Sequence, residues 1–354
     1  MNFVMGTKSL TSRERVIAAI EFSGPDRIPH NNAFVPAVFD KYGKKVEELL
    51  RRFPSDFAGD EGVRPDGSAF RTGQFTDEWG CVWTVPHPGF GGQVTLHPLS
   101  DWKALKNYQW PDPERIDLKE QRRLAQRRGD KYLVFGAGNV FERMIALRGF
   151  ENVMMGIAAG APELLLLRDR IVEFNLKMTE RLLELDPDGI GFSDDWGSQR
   201  SLLIKPSVWR EIFLPAYRRL FARVREAGKH VFFHSDGYTL DILPDLVEAG
   251  AQQFWVDLTV NGLGRLRDLL SGKVCFQALP DVQFTLRYGS PEDVRAHAKD
   301  MIAALGTFNG GFISCCELHP DQPWENMVAI LETFHEYGTY PLRLAWAGDH
   351  AVEI

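Results

Sequence analysis

The residues best suited to chemistry stand directly behind short apolar runs. Residues 189–193 lead into Ser193-Asp194-Asp195-Trp196-Gly197-Ser198-Gln199, and residues 230–234 lead into His234-Ser235-Asp236-Gly237-Tyr238. Further along, residues 253–257 end on Asp257, residues 273–278 reach Gln277 and then Asp281, and residues 311–315 close on Cys315-Cys316-Glu317. Phe141-Glu142-Arg143 follows the run at 132–137. Adjacent acids such as Asp194 and Asp195 suit general acid–base work or recognition of a cation or amine. Carboxylates also favour helix N-termini, so either could simply cap a helix. His234, two residues before Asp236, is a candidate metal ligand or acid–base group; the alternative is a hydrogen-bonded core histidine. Together His234, Asp236 and Cys316 would offer Zn²⁺ mixed N, O and S ligands with one position open, the catalytic pattern rather than the closed structural one. A buried free cysteine is equally common as a small hydrophobe. Glu142, Arg143, Gln199, Asp257 and Gln277 are the expected substrate-binding residues, although Asp257 and Gln277 could serve only to orient neighbours.

These residues acquire meaning from the elements that carry them. A helix is expected from about residue 12 to 22, capped by Thr11 or Ser12, with Ile17 and Ile20 on its apolar side and Gly24-Pro25-Asp26 as its stop. Runs of β type then recur at 27–34, 56–58, 132–137, 189–193, 230–234, 253–257, 273–278 and 311–315. Amphipathic helical stretches at 162–185, 206–227, 239–249, 264–270, 291–305 and 323–337 alternate with them. Strands apolar throughout, each followed by a helix, imply a parallel sheet covered on both faces. Length and strand count favour an α/β fold in which residues 1–354 form one (β/α)8 TIM-type barrel, rather than an open doubly wound sheet. In such a barrel the site lies at the carboxyl ends of the strands, where these acids, His234 and the cysteines fall. One stretch, about residues 59–113, breaks the rhythm. It is rich in Gly, Pro and aromatics, contains TDEWGCVWTVPHPGFGG, and is expected either to pass over the barrel mouth or to form a small hairpin. Its Phe75, Trp79, Trp83 and Phe90 are read as packing residues rather than a stacking platform.

Composition narrows the function classes. A net charge of −7 gives no basic surplus for phosphate contacts, so no nucleic-acid partner is expected. No apolar run approaches the ~20 residues that span a bilayer, and no membrane association is expected. Four cysteines are too sparse for a disulfide scaffold, and the N-terminal stretch lacks signal-peptide features, so a reducing cytoplasm is the expected compartment. A homodimer is compatible with this composition.

Six segments, GPDRIP, TDEWGCVW, FERMIALRGFENVMMGI, DDWGSQRSLLIKP, HVFFHSDG and GGFISCCELHPDQPWENMVAI, in this order from about residue 12 to 337, resemble the uroporphyrinogen decarboxylase superfamily, which also contains corrinoid-dependent methyltransferases. The resemblance implies a (β/α)8 barrel with its site at the carboxyl rim. True decarboxylases carry two arginines in an N-terminal segment and a histidine in the final motif. Here the stretch after Pro29 reads HNNAFVPAVFDKYG, without those arginines, and Cys316 stands in the histidine's place. A polycarboxylate tetrapyrrole needs cationic partners, so the methyltransferase branch is the better match. Its members place His-x-Cys after the fifth strand and Cys in the last motif, around a Zn²⁺ that activates a thiol. His234 and Cys316 match the first and last ligands, and Asp236 replaces the middle cysteine, making the donor set harder. The implied reaction moves a methyl group between a corrinoid (methylcobalamin) on a partner protein and a small thiol or tetrahydrofolate. With tetrahydrofolate, Asp194, Asp195 or Asp236 would hydrogen-bond the pterin. The alternative is a uroporphyrinogen-type decarboxylase, with an aspartate between Asp56 and Asp60 facing a protonated pyrrole and Arg64, Arg71 and Arg143 supplying positive charge. A third is a non-catalytic binding protein derived from the barrel.

Overall fold

The computed structural model describes residues 9–59, 71–348 and 350–354. The β-type runs become β1 (His30–Phe34), β5 (Val134–Gly136), β6 (Gly189–Ser193), β7 (His230–Ser235), β8 (Gln253–Asp257), β9 (Cys275–Leu279) and β10 (Phe312–Leu318); the insertion holds β2 (Gly73–Thr76), β3 (Val82–Val85) and β4 (Gln93–Leu96). The seven long-range strands form one parallel sheet in the order β1-β10-β9-β8-β7-β6-β5. Residues 55–58 join its two edges. Asp56 N–H donates to His30 O (2.7 Å), Ala58 N–H to Tyr132 O (2.9 Å), and Tyr132 N–H returns to Asp56 O (3.0 Å). The expected strand at 56–58 is therefore a single bridge, Phe57 with Tyr132, rather than a strand. Pro54 precedes it without an N–H to donate, which leaves too little chain for a ladder.

Side-chain alternation sorts the strands into two faces. Outward residues such as Phe312, Cys316, Phe254 and Val231 pack under the helices in the main core. Inward residues Tyr132, Phe232, Cys275 and Ile313 meet Phe57 and, from the first helix, Val16, Ala19 and Ile20. The first helix thus plugs the amino end of the sheet. It runs Ser12–Ile20, with Thr11 and Glu14 forming a reciprocal capping box. Arg15 on this helix pairs with Asp26 (2.6 Å) and Asp56 (2.7 Å), and Arg27 pairs with Asp56 (2.8 Å). Burial alone would raise the Asp56 carboxyl, but Arg27, the His30 N–H and Arg15 together hold it below its usual range. Asp56 is therefore spent on tying together the two edges at the base of the sheet and is not free to face a pyrrole. Asp60 and Arg64 lie outside the described residues, and Arg71 is exposed.

The insertion folds as an antiparallel three-stranded sheet, β2-β3-β4, rather than a single hairpin. Asp77 anchors it, accepting from Trp79 N–H, Cys81 N–H, the Trp83 indole and Arg143 (2.7 Å). Trp79 is buried against Phe174 and Phe75 stacks on Trp83, whereas Phe90 is exposed. The single helix expected over 206–227 is two, Pro206–Ile212 and Leu214–Glu226, because Pro215 cannot donate across the junction. After the last long helix, Trp324–Tyr337, the chain adds the hairpin β11 (Leu344–Ala347) and β12 (His350–Glu353), which lies outside the expected elements. Among the described residues no single helix is long and apolar enough to cross a membrane; the bent pair Phe150–Ala159 and Pro162–Leu183 passes on length and composition alone.

Candidate active site at the carboxyl rim

His234 ends the inward face of β7. Its Nδ1 lies 3.0 Å from Trp255 O, and since a carbonyl can only accept, Nδ1 carries the proton. Nε2 is left as an acceptor or ligand atom. It faces Asp236 Oδ1 at 3.5 Å and Asp195 Oδ1 at 3.7 Å. Among the described residues, Asp195, His234 and Asp236 bring ligand atoms within 4.8 Å of one another. Tetrahedral Zn²⁺ with bonds of roughly 2.0–2.1 Å has ligand–ligand edges of about 3.4 Å, so the two spacings to His234 suit this donor set. The backbone carbonyl on Nδ1 is the outer partner that orients a metal-binding imidazole.

Two glycines make this convergence possible. The loops after β6 and β7 cross at Gly197 and Gly237, where Gly197 N–H donates to Asp236 O (3.2 Å), Asp236 N–H to Asp195 Oδ1 (2.9 Å) and Tyr238 N–H to Ser198 O (2.8 Å). A Cβ on Gly197 would sit 2.3 Å from Tyr238 N; one on Gly237 would sit 2.5 Å from Gly197 C, and Gly237 has φ +76°. Asp257 accepts from Gly237 N–H (2.7 Å), and Asn261 holds Thr239 N–H and Gly237 O. Asp257 thereby positions the loop that carries Asp236.

Asp194, expected among the catalytic groups, caps a helix instead. Fully buried, it accepts from Val140 N–H (2.9 Å), Glu142 N–H (2.8 Å) and Tyr217 OH (2.6 Å), so it holds the start of helix Phe141–Arg148. Burial pushes its carboxyl up to about 7, against the pull of those three donors. Glu142 is raised further, to about 8, by burial and then by the neighbouring Asp194 and Asp195. In metal-free protein a native state that keeps this proton is favoured below the native value and loses ground as pH rises. Between roughly pH 4.5 and 8 the unfolded chain has released the Glu142 proton while the folded one retains it, so stability falls across that window. Glu142→Gln should flatten that slope and gain on the order of 1–2 kcal/mol near pH 8, read from urea midpoints across pH. An unchanged slope would place the proton elsewhere.

Two spaces meet at His234. Inside the sheet is a cavity of about 460 Å³ bounded by Phe57, Val134, Phe232, Gln253, Trp255 and Gln277, with Asn31 near its mouth. Barrel interiors are ordinarily filled by side chains; here Gly136 and Gly191 replace two of them, and a Cβ on Gly136 would meet nothing within 4 Å. Above it a groove of about 530 Å³ runs past Gln199, Asp236, Asp257, Gln283 and His319. Among the described residues lining either space there is no Lys or Arg. Arg143, expected to bind substrate, is committed to Asp77 and stacks over Trp79. Gln277 accepts from Asn31 Nδ2 (3.1 Å) and donates to Cys315 Sγ (3.5 Å).

Cys316, the expected third metal ligand, is not in the cluster. It lies fully buried in the outer core, where burial raises its thiol pKa. Ile313 faces inward, so two-residue alternation turns Cys315 inward and Cys316 outward. Asp195, rather than Cys316, lies beside His234 and Asp236 as the third potential ligand. Asn31, Gln253, Trp255, Tyr217 and the Gly197–Gly237 crossing were not among the residues expected from the sequence: Gln253 is a lone polar residue at the head of an apolar run, and Asn31 lies in the mixed stretch HNNAF.

With this geometry in hand, residues 91–337 match the family described as Uroporphyrinogen decarboxylase (URO-D). The chain belongs to the uroporphyrinogen decarboxylase family. Among solved structures the URO-D fold seen here superposes on a methyltransferase from Methanosarcina mazei with a TM-score of 0.68 and 16% identity, covering 93% of this chain and 99% of that one. A chitinase from Chromobacterium violaceum is a looser match, with a TM-score of 0.38 and 10% identity over 86% of this chain and 98% of its own. A dihydropteroate synthase from Xanthomonas albilineans gives a TM-score of 0.26 and 15% identity over 47% of this chain and 53% of its own. No curated protein matches the sequence.

Proposed function

We propose that this URO-D protein is a methyltransferase that exchanges a methyl group between a corrinoid (methylcobalamin) carried by a partner protein and a small thiol or tetrahydrofolate. In this reading residues 55–58 count as the eighth stave of a (β/α)8 barrel, and the acceptor occupies the cavity beneath His234. The observation that carries it is the position of Asp195, His234 and Asp236 where the cavity opens into the groove. Those three residues would hold Zn²⁺, which when bound supplies Lewis-acid activation of the acceptor. Trp255 O fixes the imidazole so that Nε2 points at the acids, and the glycine crossing fixes both carboxylates. The interior walls exclude water from the small molecule, and Glu142 keeps a proton beside the acids at neutral pH.

Uroporphyrinogen decarboxylation is less well supported, since Arg15 and Arg27 are spent on Asp56 and Arg143 on Asp77. The test is direct. Purified protein is mixed with methylcobalamin and either a small thiol or tetrahydrofolate, and the corrinoid absorbance change is followed. Demethylation with one acceptor is expected. Decarboxylation of uroporphyrinogen with no methyl transfer to either acceptor would reverse the assignment.

A further inference from the structure

The cavity holds a polar group that the proposed chemistry at its mouth does not use. Gln253 is 1% exposed, lies on the inward face at the start of β8, and lines the cavity. Its Nε2 has no hydrogen-bond partner among the described residues. A buried, unpaired amide N–H is costly and is rarely kept without reason. Trp255, two residues on and on the same face, leaves its indole Nε1–H unpaired as well.

Strand register sets the offset of this group from the site along the strands. Gln253 pairs with Phe232, and Trp255 pairs with His234, so Gln253 lies one inward layer below the imidazole. Two residues of parallel strand span about 6.6 Å. A six-membered ring with a substituent at each end is about that long. The walls between are apolar and aromatic, Phe57, Val134 and Phe232, and no Lys or Arg lines the cavity among the described residues. At the Gln253 end an anion would find no cationic side chain among the described residues, and Asp195 and Asp236 stand at the entrance.

We propose that Gln253 is the specificity-determining residue of this cavity, and that it selects an uncharged, ring-bearing small molecule by donating to a carbonyl or ether oxygen at the end remote from His234. This rests on the reading above that the cavity holds the small methyl-exchanging molecule, but it is testable without corrinoid or metal. Titration calorimetry with benzamide and with benzoate compares an uncharged carbonyl with an anion of nearly the same shape. Wild-type protein should bind benzamide at least roughly tenfold more tightly than benzoate, because benzoate must bury a charge without a partner. Gln253→Leu should weaken benzamide about three- to tenfold, the value of one hydrogen bond. The variant should also melt at or above the wild-type temperature, since it removes an unpaired buried donor, whereas a purely structural Gln253 would lower it. Equal affinity for the two probes, no binding of either at millimolar concentration, or a destabilised variant with unchanged preference would overturn the proposal. Charge preference that persists in protein unable to transfer methyl groups would leave this inference standing while the functional reading failed.

Discussion

Gly237→Ala should cost more than about 100-fold in the proposed methyl transfer while leaving most of the fold intact. The added Cβ would sit 2.5 Å from both C and O of Gly197, a backbone overlap that no rotamer change can relieve. Gly237 also has φ +76°, a conformation that costs an L-residue roughly 1–2 kcal/mol. Together with the overlap, a loss of about 2–5 kcal/mol of stability is expected. The loops must part, and the bond from Gly197 N–H to Asp236 O and the one from Asp236 N–H to Asp195 Oδ1 part with them. Displacements near 1 Å at a reacting centre cost on the order of 10²-fold in rate. The readout is kcat alongside the melting temperature. Full activity in a well-folded Gly237→Ala protein would show that the crossing does not position the acids.

The second large effect is on stability. Asp194→Ala leaves Val140 N–H, Glu142 N–H and Tyr217 OH unpaired in a fully buried place. Each buried donor left unsatisfied costs about 1–3 kcal/mol, so a total of roughly 3–5 kcal/mol is expected in denaturant unfolding. Asp194→Asn keeps one oxygen and should cost about half as much. A change below about 1 kcal/mol in the alanine variant would mean that helix Phe141–Arg148 finds other caps and that Asp194 has a different task.

Much of this architecture was legible because parallel strands buried on both faces read as apolar runs between helices. The rim residues followed from one rule, that polar side chains just past a strand end gather at the carboxyl face. Gln199, His234, Asp236 and Asp257 fall together on that ground. The failures have equally local causes. At 56–58 the preceding Pro54 and an Asp56 side chain drawn down to two arginines reduce an apparent strand to one bridge. Asp194 and Asp195 are neighbours, yet strand alternation sends one into the helix layer and the other to His234. The same alternation separates Cys315 from Cys316, and the motif position expected to bind metal falls on the one that faces outward. Gln253 was hidden because a single polar residue does not interrupt an apolar run, and its importance appears only once the cavity beneath His234 is seen. The cavity itself depends on Gly136 and Gly191, whose missing side chains carry no signal of their own.

On the proposed function, Asp195, His234 and Asp236 form one metal-binding centre. Metal analysis of zinc-supplemented wild-type protein beside Asp195→Ala, His234→Ala and Cys316→Ala tests it most directly. About one Zn²⁺ per chain is expected in the wild type and in Cys316→Ala, with loss in both Asp195→Ala and His234→Ala. Retention in Asp195→Ala with loss in Cys316→Ala would contradict the account, and a wild-type protein that takes up no metal at all would remove the centre on which it stands.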